Sequence, residues 1–537
     1  MLVRINNVRL SLLHDVTLTA AAAKKLGLPE RELTSVQVIR KAVDARHKKE
    51  ICLNYHVLAE VDVPARLQRR LLKQTDVSVY QAAVPVAPVF GSDKFTERPV
   101  VIGAGPAGLV AGLELAKHGY RPLVLERGKD LAHRVQDVQE FWQRGHFNPA
   151  SNVQFGAGGA GTFSDGKLTT RVNDPVMGEI LQAFVAAGAP PEILTEQKPH
   201  VGTDKLRAMV TGLLQQIVAY GGQVRYESQV VGFKTETDRL LGLELADGTS
   251  LQTQAVVLAC GHSARDTYAA LKEQGIGMEA KPFAIGLRVE HPQEIIDKAQ
   301  YGTFAGDKRL GPADYMLIYH TPDGTRTAYS FCMCPGGQVV AAASETGGVV
   351  VNGMSLYKRD SGVANSALVV TVGPADFGRD PLAGVAFQRQ YEQLAFAAGG
   401  KNYTAPAQTV ASFLAGTDPL LTETAARTVL PSYMPGVRAC ALEKVLPDYV
   451  SGTLKQGINA FGKKVAGFAG PCGLLTGVET RTSAPLRILR GRDYESVTHR
   501  GLYPCGEGAG YAGGIMSAAL DGYHVARAIM ARYAPLV

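Results

Sequence analysis

The sequence predicts an α/β protein with three parts: a Rossmann-like nucleotide-binding domain, a mixed α+β domain inserted into it, and a small N-terminal α+β domain. Residues 99–127 have the order strand, glycine turn, helix, strand, acid. A buried strand that ends in glycine returns at 255–261, and a third follows at 501–506. Repeated units of this kind are typical of strands that join one parallel sheet.

The first of these units carries a dinucleotide-binding pattern. Gly103, Gly105 and Gly108 fill G-x-G-x-x-G directly after its first strand. Such glycines allow a tight turn, close approach of a pyrophosphate and close packing of helix on strand. Pro106 suits the first turn of the helix, whose N-terminus would face the phosphates. Glu126 ends the second strand, where an acid contacts the ribose of an adenosine.

Two further stretches break the regular pattern. A polar helix is expected after Glu126, and residues 156–168 then hold five glycines within eleven positions. Backbone of this kind passes close to another group, and the interleaved Phe163 and Leu168 argue against a simple flexible loop. We interpret the stretch as a cofactor-lining loop. Residues 501–520 predict a short strand, glycines with one acid, and a helix of small residues.

Changes in this rhythm divide the chain into four segments. Residues 1–95 form the N-terminal domain, which ends in a linker predicted over 76–96 because of its Pro and Gly residues. Segments 96–266 and 479–537 form the two parts of the nucleotide-binding domain. Segment 267–478, where short strands alternate with glycine turns, forms the inserted domain that would cap the site and hold a substrate.

The composition is that of an ordinary globular protein, with 46% hydrophobic and 20% charged residues. The N-terminus lacks the build of a signal peptide, and no apolar run reaches the ~20 residues of a membrane helix. We therefore expect a cytoplasmic protein without a membrane partner. The cysteines are scattered and predict neither a disulfide framework nor a metal site. The close pair Cys332 and Cys334 is interpreted as buried strand residues, with a redox role as the alternative.

The net charge of +7 belongs to the N-terminal segment. Residues 1–75 carry 14 Lys and Arg against 7 Asp and Glu, so the rest of the chain is balanced. Such a basic segment forms either a solvated face or a docking surface for nucleic acid or an acidic partner. Tyr55 is its one interleaved aromatic residue, which favours the solvated face over a nucleic-acid surface.

Taken together, these stretches resemble the FAD-dependent oxidoreductases of the glutathione-reductase-like structural class. The resemblance implies that the first glycine motif binds the ADP half of FAD and that the strand ending at Gly261 crosses the FAD site. Gly506-Glu507 stands where the class has Gly-Asp near the ribitol or pyrophosphate, and it is one methylene longer. The implied FAD-binding residues are Gly103, Gly105, Pro106, Ala107, Gly108, Glu126, Arg127, Gly158, Gly159, Thr162, Lys167, Val230, Gly261, Gly506, Glu507, Gly513, Gly514 and Ile515.

More narrowly, the chain resembles a bacterial family known as uncharacterised FAD-dependent dehydrogenases. The resemblance lies in residues 156–168, 332–345, 352–354, 365–368 and 479–487. The basic N-terminal segment belongs to the same pattern, so the resemblance covers nearly the whole chain. It implies FAD and names no substrate.

The candidate catalytic or substrate-binding side chains lie near the stretches that would line the flavin. They are Lys167, His262, Arg288, Glu345, Arg481 and Tyr511. Arg288 and Arg481 would either bind an anionic substrate group or pair with structural acids, and the sequence leaves both interpretations open. No arrangement of Ser, His and Asp indicates hydrolysis.

These observations favour an FAD-dependent dehydrogenase or reductase that transfers hydride through flavin N5 to or from a small organic substrate. A flavin-dependent monooxygenase and an RNA-binding or RNA-modifying flavoprotein are the alternatives. Because one dinucleotide fingerprint is visible, NAD(P)H would act as a transient electron donor over the flavin, or the electrons would come from the substrate or another protein. The oligomeric state is not indicated.

Overall fold

The N-terminal domain of the computed structural model, which describes residues 1–82, 86–419 and 430–536, is a four-stranded antiparallel sheet with two helices. The strand order β2-β3-β1-β4 is that of a split β-α-β fold. The presence of β4 corrects the prediction that the linker begins at residue 76. The sequence pattern did not indicate this strand because it has three residues, of which only Val77 is buried. The elements are β1 (Leu2–Ser11), α1 (Leu18–Leu26), β2 (Leu33–Asp44), β3 (Cys52–Val61), α2 (Ala65–Leu71) and β4 (Val77–Val79).

The two faces of this sheet differ. Apolar side chains such as Val3, Ile5 and Val57 pack under the helices, whereas Arg4 and Arg40 are exposed on the opposite side near His56. Burial and these two arginines lower the pKa of His56. Both interpretations of the basic segment, solvated face and docking surface, fit this open cationic face.

An edge of the same sheet joins the N-terminal domain to the rest of the molecule. The backbone N–H of Lys41 donates to the carbonyl of Thr195 (2.7 Å), and the N–H of Gln197 donates to the carbonyl of Lys41 (2.7 Å). The Lys41 ammonium also pairs with Glu196 at 3.0 Å. The domain is therefore docked on the nucleotide-binding domain by main-chain and ionic contacts.

The first part of the nucleotide-binding domain alternates strands and helices as predicted. Strands β5, β6 and β11 are apolar and buried along their whole length, as expected for a parallel sheet covered on both faces. Strands β8 to β10 form a separate antiparallel sheet. The elements are β5 (Val100–Ile102), α3 (Pro106–Lys117), β6 (Leu123–Leu125), α4 (Leu131–Arg144), α5 (Met177–Ala186), α6 (Thr203–Ala219), β7 (Gln223–Arg225), β8 (Val230–Glu236), β9 (Arg239–Leu245), β10 (Ser250–Gln252), β11 (Val256–Leu258) and α7 (Arg265–Glu273).

The inserted domain is built on a seven-stranded sheet of order β14-β15-β18-β13-β21-β19-β20. Its long central strands, β13 and β18, pair antiparallel over ten residues and are almost entirely buried. The elements are β12 (Met278–Ala280), β13 (Phe283–Pro292), α8 (Gln293–Tyr301), β14 (Ile318–His320), β15 (Thr327–Cys334), β16 (Gly337–Ala341), β17 (Val351–Ser355), β18 (Val363–Val372), α9 (Pro374–Phe377), α10 (Ala383–Gly399), β19 (Ala405–Thr409), α11 (Val410–Ala415), β20 (Val437–Ala439), α12 (Asp448–Lys464) and β21 (Leu474–Glu479).

Parts of three predicted segments lie outside the described residues. They are residues 83–85 of the predicted linker, residues 420–429 of the predicted inserted domain and residue 537 of the predicted C-terminal segment.

The C-terminal segment returns to the nucleotide-binding domain with β22 (Leu486–Ile488), β23 (Leu502–Pro504) and α13 (Ile515–Arg532). The five-stranded parallel sheet that results has the order β23-β11-β5-β6-β7. Helix α13 packs closely on α3, because a Cβ atom at Gly522 would lie 2.1 Å from the carbonyl oxygen of Ala107. In the described part of the chain, no helix combines the length and hydropathy needed to cross a membrane.

Candidate cofactor site

A cavity of about 410 Å³ lies at the carboxyl ends of the parallel strands. Ile102, Leu125 and Cys505, at the ends of β5, β6 and β23, form its floor. Phe331 and Asn352 reach it from the inserted domain. Open α/β sheets bind their ligands in this position, so the fold and the cavity indicate the same site.

The cavity brings most of the predicted FAD-binding residues together. Those that line it are Gly103, Gly105, Pro106, Ala107, Glu126, Arg127, Gly159, Lys167, Val230, Gly261, Glu507, Gly513, Gly514 and Ile515. Four others, Gly108, Gly158, Thr162 and Gly506, lie behind this lining. They are small residues, and a Cβ atom at any of the three glycines would lie within 3 Å of a neighbouring atom, so their place is in the packing of the turn and loop.

The glycines of the first motif divide into packing and open positions. Gly103 has φ +98°, and a Cβ atom there would lie 2.3 Å from the carbonyl oxygen of Ala259. A Cβ atom at Gly108 would lie 1.9 Å from the carbonyl oxygen of Gly103. At Gly105, by contrast, the nearest atom is 3.8 Å away, and at Gly514 no atom lies within 4 Å. The backbone at the last two positions therefore faces open cavity, which fits a ligand that approaches the main chain.

Glu126 ties the two glycine-rich segments together. Its Oε2 accepts a hydrogen bond from the N–H of Ala104 (2.9 Å), and its Oε1 accepts from the N–H groups of Gly128 (2.9 Å) and Gly156 (2.8 Å). The side chain is 4% exposed and lines the cavity. The sequence predicted the ribose contact, and these backbone contacts add a second role, which is to hold the turn and the loop at the cavity.

Arg134 is a structural residue of the site that the sequence analysis missed. Its guanidinium is fully buried, and burial lowers its pKa to about 10. It donates hydrogen bonds to five backbone carbonyls in and just before the glycine-rich loop 156–168, those of Asn152, Val153, Gly156, Ala157 and Gly159. A signal was available, because Arg134 shares one face of α4 with Val138, Phe141 and Trp142, the buried residues of that helix.

On the inserted-domain side, Arg481 lines the cavity as part of a buried ion-pair network. Glu392 of α10 lies between Arg481 (Nη2 to Oε2, 2.9 Å) and Arg265 of α7 (Nη2 to Oε1, 2.7 Å). Although burial opposes ionisation, the two guanidinium groups hold the pKa of Glu392 well below its usual range. Of the two sequence interpretations of Arg481, the structure shows pairing with a structural acid.

Arg288 also pairs with a structural acid, and it is more deeply buried than Arg481. Its Nη1 pairs with Glu479 at 3.0 Å, and its Nε donates to Oδ1 of Asn365 at 2.8 Å. The guanidinium lies behind the cavity lining. The structure therefore gives Arg288 a structural acid as its partner.

Two other candidates also lie outside the lining. The Tyr511 hydroxyl donates to the carbonyl of Ile488 (3.1 Å), and its ring packs 3.7 Å from the Arg490 guanidinium. Glu345 pairs with Arg389 at 2.7 Å. Their contacts are with structural groups, not with the space in which a cofactor fits.

Lys167, His262 and Glu507 are further titratable side chains that line the cavity. Lys167 pairs with Asp165 at 2.7 Å, and this carboxylate raises the Lys167 pKa although burial opposes it. Burial, with Arg481 and Arg265 nearby, lowers the pKa of His262 to about 4, so its imidazole is neutral. Burial raises the pKa of Glu507 to about 7.

Comparison with known proteins identifies the cofactor that this geometry fits. Residues 282–482 match the family described as FAD-dependent protein, C-terminal domain-like. Residues 101–165 match the NAD(P)-binding Rossmann-like domain, and residues 2–60 match a domain of unknown function (DUF8436). The protein is thus an FAD-dependent oxidoreductase with a Rossmann-like FAD-binding domain.

A relative that matches almost the whole chain shows the family to which the protein belongs. An uncharacterized protein of Clostridium beijerinckii is 46% identical over 538 residues, which cover 99% of this chain and 99% of the relative. The chain belongs to the same family as this protein.

Two solved structures resemble the chain more distantly. Glycine oxidase from Bacillus cereus is 11% identical, and the match covers 80% of this chain and 94% of that chain with a TM-score of 0.32. L-proline dehydrogenase from P. horikoshii is 13% identical, and the match covers 82% and 94% with a TM-score of 0.34.

Proposed function

We propose that FAD lies along the cavity, with its ADP half on the turn Gly103–Gly108 and its flavin half below the inserted domain. The observation that carries this proposal is that one cavity is lined on one side by the dinucleotide turn and on the other by Asn352 of the inserted domain and by Arg481, which follows the last strand of that domain. The arrangement supports membership of the glutathione-reductase-like structural class. The lining residues predicted from the sequence would hold the cofactor, with Glu126 and Val230 at the adenosine end.

The reaction that fits best is dehydrogenation or reduction of a small organic substrate. When bound, FAD supplies a carrier of two electrons, exchanged as hydride at flavin N5. Glu507 has a pKa near neutral, so it can hold or release a proton at physiological pH. The neutral imidazole of His262 can accept a hydrogen bond from a bound hydroxyl or amine.

The cationic side chains at the cavity bear on the choice of substrate. Lys167 is paired with Asp165, and Arg481 is paired with Glu392. A substrate carboxylate would have to compete with these protein carboxylates. The pairing therefore favours a substrate whose reacting end is uncharged over an anionic one.

The replacement Gly514→Leu tests the position of the cofactor. Gly514 has an extended backbone (φ 163°) that any residue adopts, and a side chain there would enter the cavity. We expect the variant to fold with the stability of the wild-type apoprotein and to be purified without flavin. Circular dichroism and the visible flavin band measure the two properties.

Gly178→Leu is the matched control for this variant. Gly178 is exposed on α5, and a Cβ atom there meets no atom within 4 Å, so the variant should keep its flavin. If the Gly514→Leu protein were fully flavinated, the cofactor would have to lie elsewhere.

Anaerobic mixing with NADH or NADPH tests the proposed reaction class. We expect one of them, bound transiently over the flavin, to bleach the visible flavin band, and a small organic acceptor to restore it. Mixing with oxygen in place of the acceptor is the control. A flavin that reoxidises only with oxygen and incorporates an oxygen atom into the substrate would contradict the proposal in favour of the monooxygenase.

A further inference from the structure

Two cysteines lie beside each other at the wall of the cavity. Cys332 lines the cavity and is partly exposed, whereas Cys334 is fully buried behind it. Both lie within the last three residues of strand β15, whose pairing with β18 shifts in register between Phe331 and Cys334. Neither cysteine has a role in the FAD-binding or proton-transfer groups described above.

The backbone at this point has an unusual conformation. Cys332 has φ +43°, a left-handed conformation that residues with a side chain rarely adopt. A bulge of this kind bends a strand and re-aims a side chain, and bulges are frequent next to active sites. Here the bulge lets the Cys334 thiol donate to the carbonyl oxygen of Cys332 at 3.3 Å, beside the partly exposed Cys332 side chain.

Two cations lie next to the sulfur atom of Cys334. The Lys167 ammonium lies 3.8 Å from the Cys334 Sγ, and Nη2 of Arg288 lies 3.5 Å from the same atom. Nη2 of Arg288 also donates to the carbonyl of Cys332 at 2.7 Å. Positive charge around a thiol stabilises the thiolate, which is the nucleophilic form.

The two thiols therefore differ in their tendency to ionise. The neighbouring Cys334 thiol, with Lys167 and Arg288, lowers the pKa of Cys332 against the effect of burial. The neighbouring Cys332 and burial raise the pKa of Cys334. A partly exposed thiol that ionises readily next to a buried thiol that does not is the arrangement of an attacking and a resolving cysteine.

We propose that Cys332 and Cys334 form a redox-active pair that closes to a disulfide and exchanges electrons with FAD bound in the same cavity. On closure, one S–S bond forms and the two thiols lose two electrons and two protons. These pass to the bound FAD, which becomes FADH₂, and the reverse transfer reopens the disulfide. The proposal rests on the proposed position of FAD and adds a second two-electron centre to the site.

Mass spectrometry tests whether the disulfide forms. Trypsin releases both cysteines in the peptide 327–358, which is bounded by Arg326 and Lys358. The protein is incubated with glutathione disulfide or with dithiothreitol, then denatured and blocked with N-ethylmaleimide. We expect an unlabelled peptide, two hydrogens lighter, after oxidation, and a doubly labelled peptide after reduction. Two labels in both samples, or a lasting glutathione adduct on Cys332, would overturn the proposal.

An anaerobic titration with dithionite tests the exchange with FAD. The wild type, first oxidised with glutathione disulfide and then freed of it, should take up four electrons per FAD, and Cys332→Ser and Cys334→Ser treated in the same way should each take up two. Cys440→Ser, whose sulfur lies outside the cavity, is the control and should take up four. Two electrons per FAD in the wild type would overturn the redox pair alone. A protein that closes the disulfide but holds no FAD would instead refute the proposed function, and with it the electron transfer.

Discussion

Replacing Arg134 with methionine is expected to release FAD and to lower the free energy of unfolding by roughly 4 kcal/mol. The wild-type guanidinium donates hydrogen bonds to five backbone carbonyls in and just before the glycine-rich loop, and methionine provides none of these donors. The carbonyls of Gly156, Ala157 and Gly159 keep a second donor, whereas those of Asn152 and Val153 have no other donor among the described residues. Each buried polar group without a partner costs ~1–3 kcal/mol, so the total comes from these two carbonyls. Urea unfolding and the flavin content after gel filtration measure the two effects.

Arg144→Met is the matched control for Arg134→Met, because it removes the same groups from the same helix. Arg144 is an exposed residue that pairs with Glu140, and exposed pairs contribute ~0–1 kcal/mol. This variant should keep both its stability and its FAD. If the two variants behaved alike, Arg134 would not be the residue that holds the loop at the cavity.

Replacing Glu392 with glutamine is expected to lower the free energy of unfolding by roughly 3–5 kcal/mol. The amide has nearly the shape of the carboxylate but cannot neutralise the guanidinium groups of Arg265 and Arg481, which are both buried. Arg481 would then lose the partner that holds it at the cavity wall. We therefore expect weaker retention of FAD as well, measured as the dissociation constant of the released cofactor.

The effect of Glu392→Gln should also depend on pH. The folded-state pKa of Glu392 lies below its ordinary value of 4.5, so the carboxylate stabilises the fold fully above about pH 4.5 and loses this effect as the pH falls further. The difference between wild type and variant should shrink over the same range. Glu140→Gln, on the exposed face of α4, is the control. A difference that stayed constant from neutral to acidic pH would contradict the ionised network.

The parts of the site that the sequence predicts are those in which the backbone itself needs a certain residue. Gly103 needs a positive φ, and Gly108 needs the space of a missing Cβ atom, so both leave a pattern that can be read along the chain. Pro106 and Glu126 stand at fixed spacings from these glycines, so they belong to the same sequence pattern. Their common place at one cavity follows from the parallel sheet that their strands build.

The side-chain partners could not be predicted in this way. Arg288 pairs with Glu479 across 191 positions, and Arg481 pairs with Glu392 across 89, so the pairs exist only once the inserted sheet has formed. The sequence therefore left open whether these arginines bind substrate or structural acids. The bulge at Cys332 was hidden for a similar reason, because it arises from the pairing of β15 with β18.

Arg134 shows a different limit. A charged residue in a polar helix is usually exposed, and only its position on the buried face of α4 distinguishes it from Arg144. The carbonyls that it serves lie 18 to 25 residues further along the chain, in a loop without regular structure. A reading of the helical face would have singled it out, but the loop geometry could not be derived from spacing.

The flavin content of the purified protein tests the central claim most directly. Denaturation and chromatography of the released chromophore identify the flavin and give its ratio to the chain. We predict FAD at about one molecule per chain in the wild type and none in Gly514→Leu. A colourless wild-type protein that takes up no FAD on incubation, or one that releases a different flavin, would contradict the assignment of the cavity.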